Sequence, residues 1–246
     1  MNQRPQPPRR APSRAGAGAV IAWASLHLRR NLRRPGALAA IATMLLAAAL
    51  LRFVADEPSS ASARILLAYP APLLALFFTS GVLREEVEDG TLTYSFTRPV
   101  RRSQLYWARC AAHFGPLLLA VLPAVALVAG SFGQLIYFVL AGAAACLAYG
   151  LLFALFGVLS RGAAWIGLAF LIWEHSALRV PGFIQDLSLL TYVHGLAGVS
   201  VDAGILTFGL DMPSKPVSLG VLLGVAALSG LLGGQLVERR EIPLGR

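Results

Sequence analysis

The sequence predicts an all-α, polytopic membrane protein with six transmembrane helices, and three observations carry that expectation. Hydrophobic residues make up 57% of the chain and charged residues only 13%, against about 25% charged in ordinary globular chains. Mean hydropathy is +0.67, more apolar sequence than a soluble core absorbs. The apolar runs are spread evenly from about residue 37 to residue 237, which reads as one membrane domain.

Residues 1–18 are rich in Pro, Arg, Gly and Ala, with hardly a large apolar side chain. They cannot bury enough surface to offset ordering entropy, so a disordered arm is expected. Residues 19–36 are expected to form an amphipathic interfacial helix. Ile21, Leu28 and Leu32 share one face at helical spacing while Arg29, Arg30, Arg33 and Arg34 lie around the other. Trp23 and Leu26 project toward the basic side, although Trp suits a headgroup boundary.

The six-span domain is expected over 37–246. A bilayer core of about 30 Å requires about 20 apolar residues in helix, and six stretches come close: 37–54, 65–83, 111–130, 135–159, 163–178 and 217–237. The fifth is the shortest. The first is expected to be a retained helix and not a signal peptide, because the segment before it is too long for an n-region.

Net charge is +9, from 21 basic and 12 acidic residues. The arginines sit in short clusters between apolar runs, so orientation in a membrane explains them better than nucleic-acid binding does. In the six-span arrangement eight basic residues precede the first span and five follow the second, through Arg109. Arg161 and the C-terminal Arg239, Arg240 and Arg246 fall on that same side. Only Arg52, Arg64, Arg179 and Lys215 stand opposite, so both termini are expected in the cytoplasm. Cys110 and Cys146 lie far apart with no His at ligand spacing, which indicates neither a disulfide framework nor a structural zinc site.

The most informative stretch is the loop 84–109, REEVEDGTLTYSFTRPVRRSQLYWAR. Glu85, Glu86, Glu88 and Asp89 are followed by Gly90 and Thr91, and then by Arg98, Pro99, Val100, Arg101 and Arg102. The simplest reading is a solvated hairpin whose charges keep it out of the membrane. Against it, Gly90 suits the left-handed C-cap of a short acidic helix and Thr91 can cap a second one. Pro99 then fixes a break. Such an arrangement is a docking element rather than a slack linker.

The pattern E-x-x-x-G-T followed by R-P-V-x-R, carried by Glu86, Gly90, Thr91, Arg98, Pro99, Val100 and Arg102, resembles the membrane (permease) subunit of type-2 ABC transporters. The resemblance implies that this loop, between the second and third spans, is the cytoplasmic coupling helix, seated in a groove of a separate ABC ATPase subunit. It implies that ATP and Mg are bound by that partner and not by this chain. It further implies pairing with a second permease subunit as a homodimer or heterodimer, residence in the cytoplasmic membrane, and a leaning toward export. The N-terminal basic helix is similar to the interfacial helix of that family.

The segment from the outer end of the fifth run onward holds Trp173-Glu174, Pro181-Gly182 and Leu187-Ser188. It resembles elements that form short re-entrant or periplasmic helices near the exit gate in some of these permeases. An ionisable residue at the outer boundary of a span is costly unless it faces protein or water. Glu174 and His175 are therefore candidates for a polar translocation path, with Arg179 as a possible internal partner. The competing reading is an interfacial pair snorkelling outward.

ATP hydrolysis by this chain is not expected, because a phosphate loop needs glycines, a lysine and a following Ser or Thr. Lys215, the only lysine, sits in Met-Pro-Ser-Lys-Pro. A second class is a membrane-embedded enzyme, since Glu85-Glu86 invites comparison with the EExxxR motif of intramembrane glutamate proteases. That motif needs Arg where Gly90 stands, and wants His deep in other spans, whereas His27 lies in the basic helix and His113 follows a cytoplasmic loop. A third class is an assembly protein that spans the membrane without transport, which a copurifying ATPase would argue against.

Overall fold

The computed structural model describes residues 15–55, 58–81, 102–178, 180, 182–199 and 212–239. All regular structure among them is helical: α1 (Ala15–Arg33), α2 (Pro35–Phe53), α3 (Ser59–Ala68), α4 (Pro70–Thr79), α5 (Arg102–Leu127), α6 (Phe132–Leu159), α7 (Ala163–Ala177), α8 (Phe183–Asp186), α9 (Leu189–Ala197) and α10 (Lys215–Arg239). Five of these units are long and apolar enough to cross a membrane: α2, the pair α3–α4 taken as Ser59–Thr79, α5, α6 and α10. The segment expected as a fifth span, α7, has 15 residues, about 22 Å of helix, which is short of the hydrocarbon thickness.

Prolines punctuate the first half. Pro35 opens α2 after Arg34 adopts extended backbone, and Pro70 opens α4 directly after Tyr69. A proline has no N–H to give the preceding turn and favours the first helical position. The second span is consequently divided near its middle, at Tyr69, which is half-exposed. It begins at Ser59, six residues before the apolar run does, because the small Ser62 and Ala63 are fully buried. Local hydropathy undervalues such positions.

The packing depends on close backbone approach. A Cβ added at Gly150 of α6 would overlap Phe114 of α5, and one at Gly157 would overlap the Ser80 carbonyl just after α4. Between membrane helices, where water supplies no driving force, contact of this kind through small residues carries association. The third span begins at Arg102, nine residues before the expected start, for the same reason. Tyr106 is fully buried, and Tyr106 and Trp107 lie over Gly230 and Gly233 of α10, so tertiary contact extends the helix past its apolar run.

The N-terminal helix starts at Ala15, inside the segment expected as the arm, and ends at Arg33 rather than at 36. Its packed face holds His27, Leu28, Asn31 and Leu32, while Arg29, Arg30 and Arg33 are exposed. Leu28 fills the space beside Gly115 of α5, and the Asn31 amide donates to the Ala112 carbonyl at 3.5 Å. Leu28 and Leu32 are thus inward as expected, but Ile21, on the same face two turns earlier, is 70% exposed.

Candidate functional site

The residues that signal docking in the sequence, Glu85, Glu86, Glu88, Asp89, Gly90, Thr91, Arg98, Pro99 and Arg101, lie outside the described residues, as does Arg179. Arg102 is described: it is the first residue of α5 and is half-buried. Glu174 and His175 sit in the last turn of α7.

Glu174 is completely buried. The Tyr149 hydroxyl, from the middle of α6, donates to its Oε2 at 2.7 Å. The backbone N–H of Leu190 donates to Oε1 at 3.0 Å, with the Ser188 hydroxyl at 3.5 Å from the same oxygen. Leu190 is the second residue of α9, whose own N-cap residue, Ser188, makes no side-chain cap bond. The first turn of a helix presents unsatisfied N–H groups and partial positive charge. Glu174 accepts the Leu190 N–H from a different helix, so one carboxylate ties together α6, α7 and α9. It neither snorkels outward nor faces an open path in this arrangement.

The depth of this knot follows from residue counts at about 1.5 Å per residue. Glu174 stands about 16 Å from the start of α7, and Tyr149 about 15 Å from the end of α6. Tyr69, whose ring lies 4.7 Å from the His175 ring, is about 15 Å along the second span. All three measures place Glu174 and His175 well inside the bundle. α7 therefore ends partway along its neighbours.

From that level α9 continues. A Cβ at Gly195 would meet the Ser218 hydroxyl at 2.6 Å and the Pro213 carbonyl at 2.8 Å, so only glycine lets α9 approach the start of α10 so closely. Gly198 ends the helix in the left-handed conformation, φ +69°, which glycine adopts without a Cβ penalty. Next to it Lys215 places its ammonium 3.2 Å from the centre of the Tyr137 ring, a cation–π contact near the other end of α6. Between α7 and α9 the chain makes a short excursion through α8, pinned where the Thr191 hydroxyl donates to the Gln185 carbonyl at 2.9 Å. The Tyr192 hydroxyl donates to the Asp186 carbonyl at the same length. Val180, Phe183, Ile184 and Leu187 of the excursion are exposed apolar residues.

His175 Nδ1 lies 2.8 Å from the Leu171 carbonyl. A carbonyl only accepts, so Nδ1 carries the proton and Nε2 of the neutral ring is an acceptor; Nε2 is buried with no partner. Beside it an open groove of about 350 Å³ is lined by Tyr69, Leu73, Leu168, Leu171, Ile172 and His175. His194 of α9 is buried as well. No group of three or more His, Cys, Asp or Glu able to hold a metal occurs among the described residues, and Cys110 and Cys146 are buried free thiols. Both oxygens of Glu174 are engaged by neutral donors, so the carboxyl joins three helices.

Sequence reasoning singled out Glu174 but missed its partners. Ser188 before an apolar Leu-Leu run is an N-cap signal for α9. Tyr149, a phenol in the middle of a long apolar helix, needs a hydrogen-bond partner once buried. Nothing local joins the two. No protein-family model matches this chain, and no curated protein matches it significantly.

Proposed function

We propose that this chain is the membrane-spanning permease subunit of an ABC transporter of the type-2 class. It resides in the cytoplasmic membrane with both termini cytoplasmic and works with a separate ATPase that binds ATP and Mg. The observation that carries the reading is the loop between the second and third spans, where Glu85, Glu86, Glu88 and Asp89 precede Gly90-Thr91 and the basic Arg98-Pro99-Val100-Arg101-Arg102 run. Support comes from the helical architecture with five span-length helices. In this reading α7 and α9 jointly complete a sixth crossing, broken at Glu174.

The mechanism follows from connectivity. The coupling loop leads directly into α5, whose first two turns are wedged on the glycines of α10. Closure of the docked ATPases would move the loop, and α5 would carry that motion to α10 and α6. ATPase contact must differ in energy between the two states, because a ligand indifferent to both shifts neither. A second copy or close relative supplies the other half of the transporter, and the direction is taken as export.

The test is copurification of the ATPase with wild type, with Glu86→Lys/Glu88→Lys and with Gly90→Val, at matched membrane expression. Single exposed ion pairs are worth only ~0.2–1 kcal/mol, whereas charge reversal adds repulsion. The double reversal is expected to weaken capture at least severalfold. If Gly90 takes the left-handed conformation that the sequence reading expects, Gly90→Val strains it and distorts the loop. Full partner binding and transport by both variants would remove the coupling loop and with it the proposal.

A further inference from the structure

A break in α5 is filled from α1. Pro116 lies inside α5 and brings no N–H, so the Ala112 carbonyl, four residues earlier, loses its helical donor. The Asn31 side chain of α1, itself buried, donates to that carbonyl at 3.5 Å. One turn away, Leu28 occupies the space that Gly115 leaves by having no side chain. α1 is therefore seated where the hydrogen bonding of α5 is interrupted, and the seat fixes its height.

That height puts three arginines at a membrane boundary. Asn31 meets Ala112 and Leu28 meets Gly115, so α1 runs opposite to α5. The apolar run of α5 begins at 111, one residue before Ala112, and α2 starts two residues after Arg33, at Pro35. Arg29, Arg30 and Arg33, all exposed, thus stand within a turn of the level at which two spans enter the hydrocarbon. Toward its N-terminus α1 lies beside deeper parts of α5, with Ile21 about 10 Å beyond Leu28. Ile21 and Leu26 are 70% and 65% exposed, and no Arg, Lys, Asp or Glu stands between Ile21 and Leu28. The exposed side of α1 changes from apolar to basic along the helix axis. A helix lying flat in the interface divides along its sides instead. A lengthwise division suits a helix that enters the bilayer at an incline, its apolar half among acyl chains and its arginines among phosphates.

We propose that α1 is a site for anionic phospholipid: Arg29, Arg30 and Arg33 hold the phosphate-bearing headgroups, and the held lipid keeps Asn31 and Leu28 in the break of α5. Guanidinium groups match phosphate oxygens in bidentate geometry, and basic side chains at this level attract a lipid of net negative charge over a zwitterionic one. The consequence for transport rests on the permease reading, in which α5 carries movement from the coupling loop. The lipid site does not.

The experiment attaches bimane to Ser25→Cys, an exposed position on α1, in the full-length chain. The labelled protein is reconstituted in vesicles of phosphatidylcholine and phosphatidylglycerol, with one of the two lipids brominated in its acyl chains. The native Cys110 and Cys146 are buried, and the chain without Ser25→Cys gives the background. Quenching by each brominated lipid reads which lipid lies against α1. Phosphatidylglycerol is expected to be preferred about fivefold, with the preference shrinking as salt is added. Arg29→Gln/Arg30→Gln/Arg33→Gln should abolish the preference while quenching by phosphatidylcholine persists, because Ile21 and Leu26 stay among acyl chains. Amide hydrogen exchange in α5 from Ala112 to Leu118 reads the hold. It is expected to be about threefold slower with phosphatidylglycerol than without it, and the triple Gln variant should lose that difference. Asn31→Ala should remove the lipid effect on exchange and leave the lipid preference in place.

Equal quenching by the two lipids in the unsubstituted helix, or a preference that survives the triple Gln change, overturns the site. A preference that inorganic phosphate abolishes at matched ionic strength marks an adventitious anion site only. Exchange in α5 that is indifferent to lipid overturns the hold, and no quenching by either lipid overturns the incline. None of these readouts needs the ATPase. A chain that shows the expected lipid effects but captures no ATPase would therefore refute the permease reading alone.

Discussion

Gly233→Ala should destabilise the protein even though alanine is the better helix former, because of where the new methyl would go. A Cβ there would overlap the Tyr106 hydroxyl and stand 2.7 Å from Cζ, where ordinary contact begins at 3.4 Å. Tyr106 is fully buried, so its ring has no free volume into which it can retreat. Overpacking of this kind costs about 1–3 kcal/mol, against a propensity gain of up to about 1 kcal/mol for replacing glycine in a helix. The net loss is up to about 2 kcal/mol, or up to roughly 8 °C in melting temperature for a chain of this size.

Tyr106→Phe removes the overlapping oxygen but leaves Cζ. It should be nearly neutral alone and should recover about 0.5–1 kcal/mol in the Gly233→Ala background. Fluorescence-detected size-exclusion melting of the four variants in detergent measures the cycle. A Gly233→Ala protein that melts at or above wild type, with no coupling to Tyr106→Phe, would falsify the wedge of α5 on α10, and with it the route by which loop movement reaches the bundle.

Two further outcomes are expected. In the proposed orientation, with both termini cytoplasmic, a cysteine introduced at Asp202 should react with an impermeant reagent from the outer side; reaction only from the cytoplasmic side would reverse the orientation. The purified chain alone should hydrolyse no ATP and should gain that activity only with a partner ATPase, so turnover by the isolated chain, contaminants excluded, would sink the permease reading.

Much of the architecture was legible because hydropathy is a sum over neighbouring residues. α2, α6 and α10 begin and end within three residues of their apolar runs. The early starts at Ser59 and Arg102 were not legible. Ser62 and Tyr106 are polar by residue type yet fully buried, and only the helices packed on them make them so. Ile21 reads as part of an apolar face, but nothing covers it among the described residues at that turn, and it is 70% exposed.

The candidate site divides in the same way. Glu174 stood out because an acid at the end of an apolar run is costly and so requires an explanation. The sequence offered two, a lined path or a snorkelling side chain, and the tertiary structure supplied another. The carboxylate's partners are Tyr149, 25 residues before it, and Leu190, 16 residues after it. By itself the sequence determined that the chain is helical, apolar over span-length stretches and basic between them, since each is a property of a local window. Only the tertiary structure decided that α7 stops partway and that α9 begins on its last turn. Hydrogen-bond partners are set by which helices lie side by side and at what height, and that information is absent from any single window of the chain.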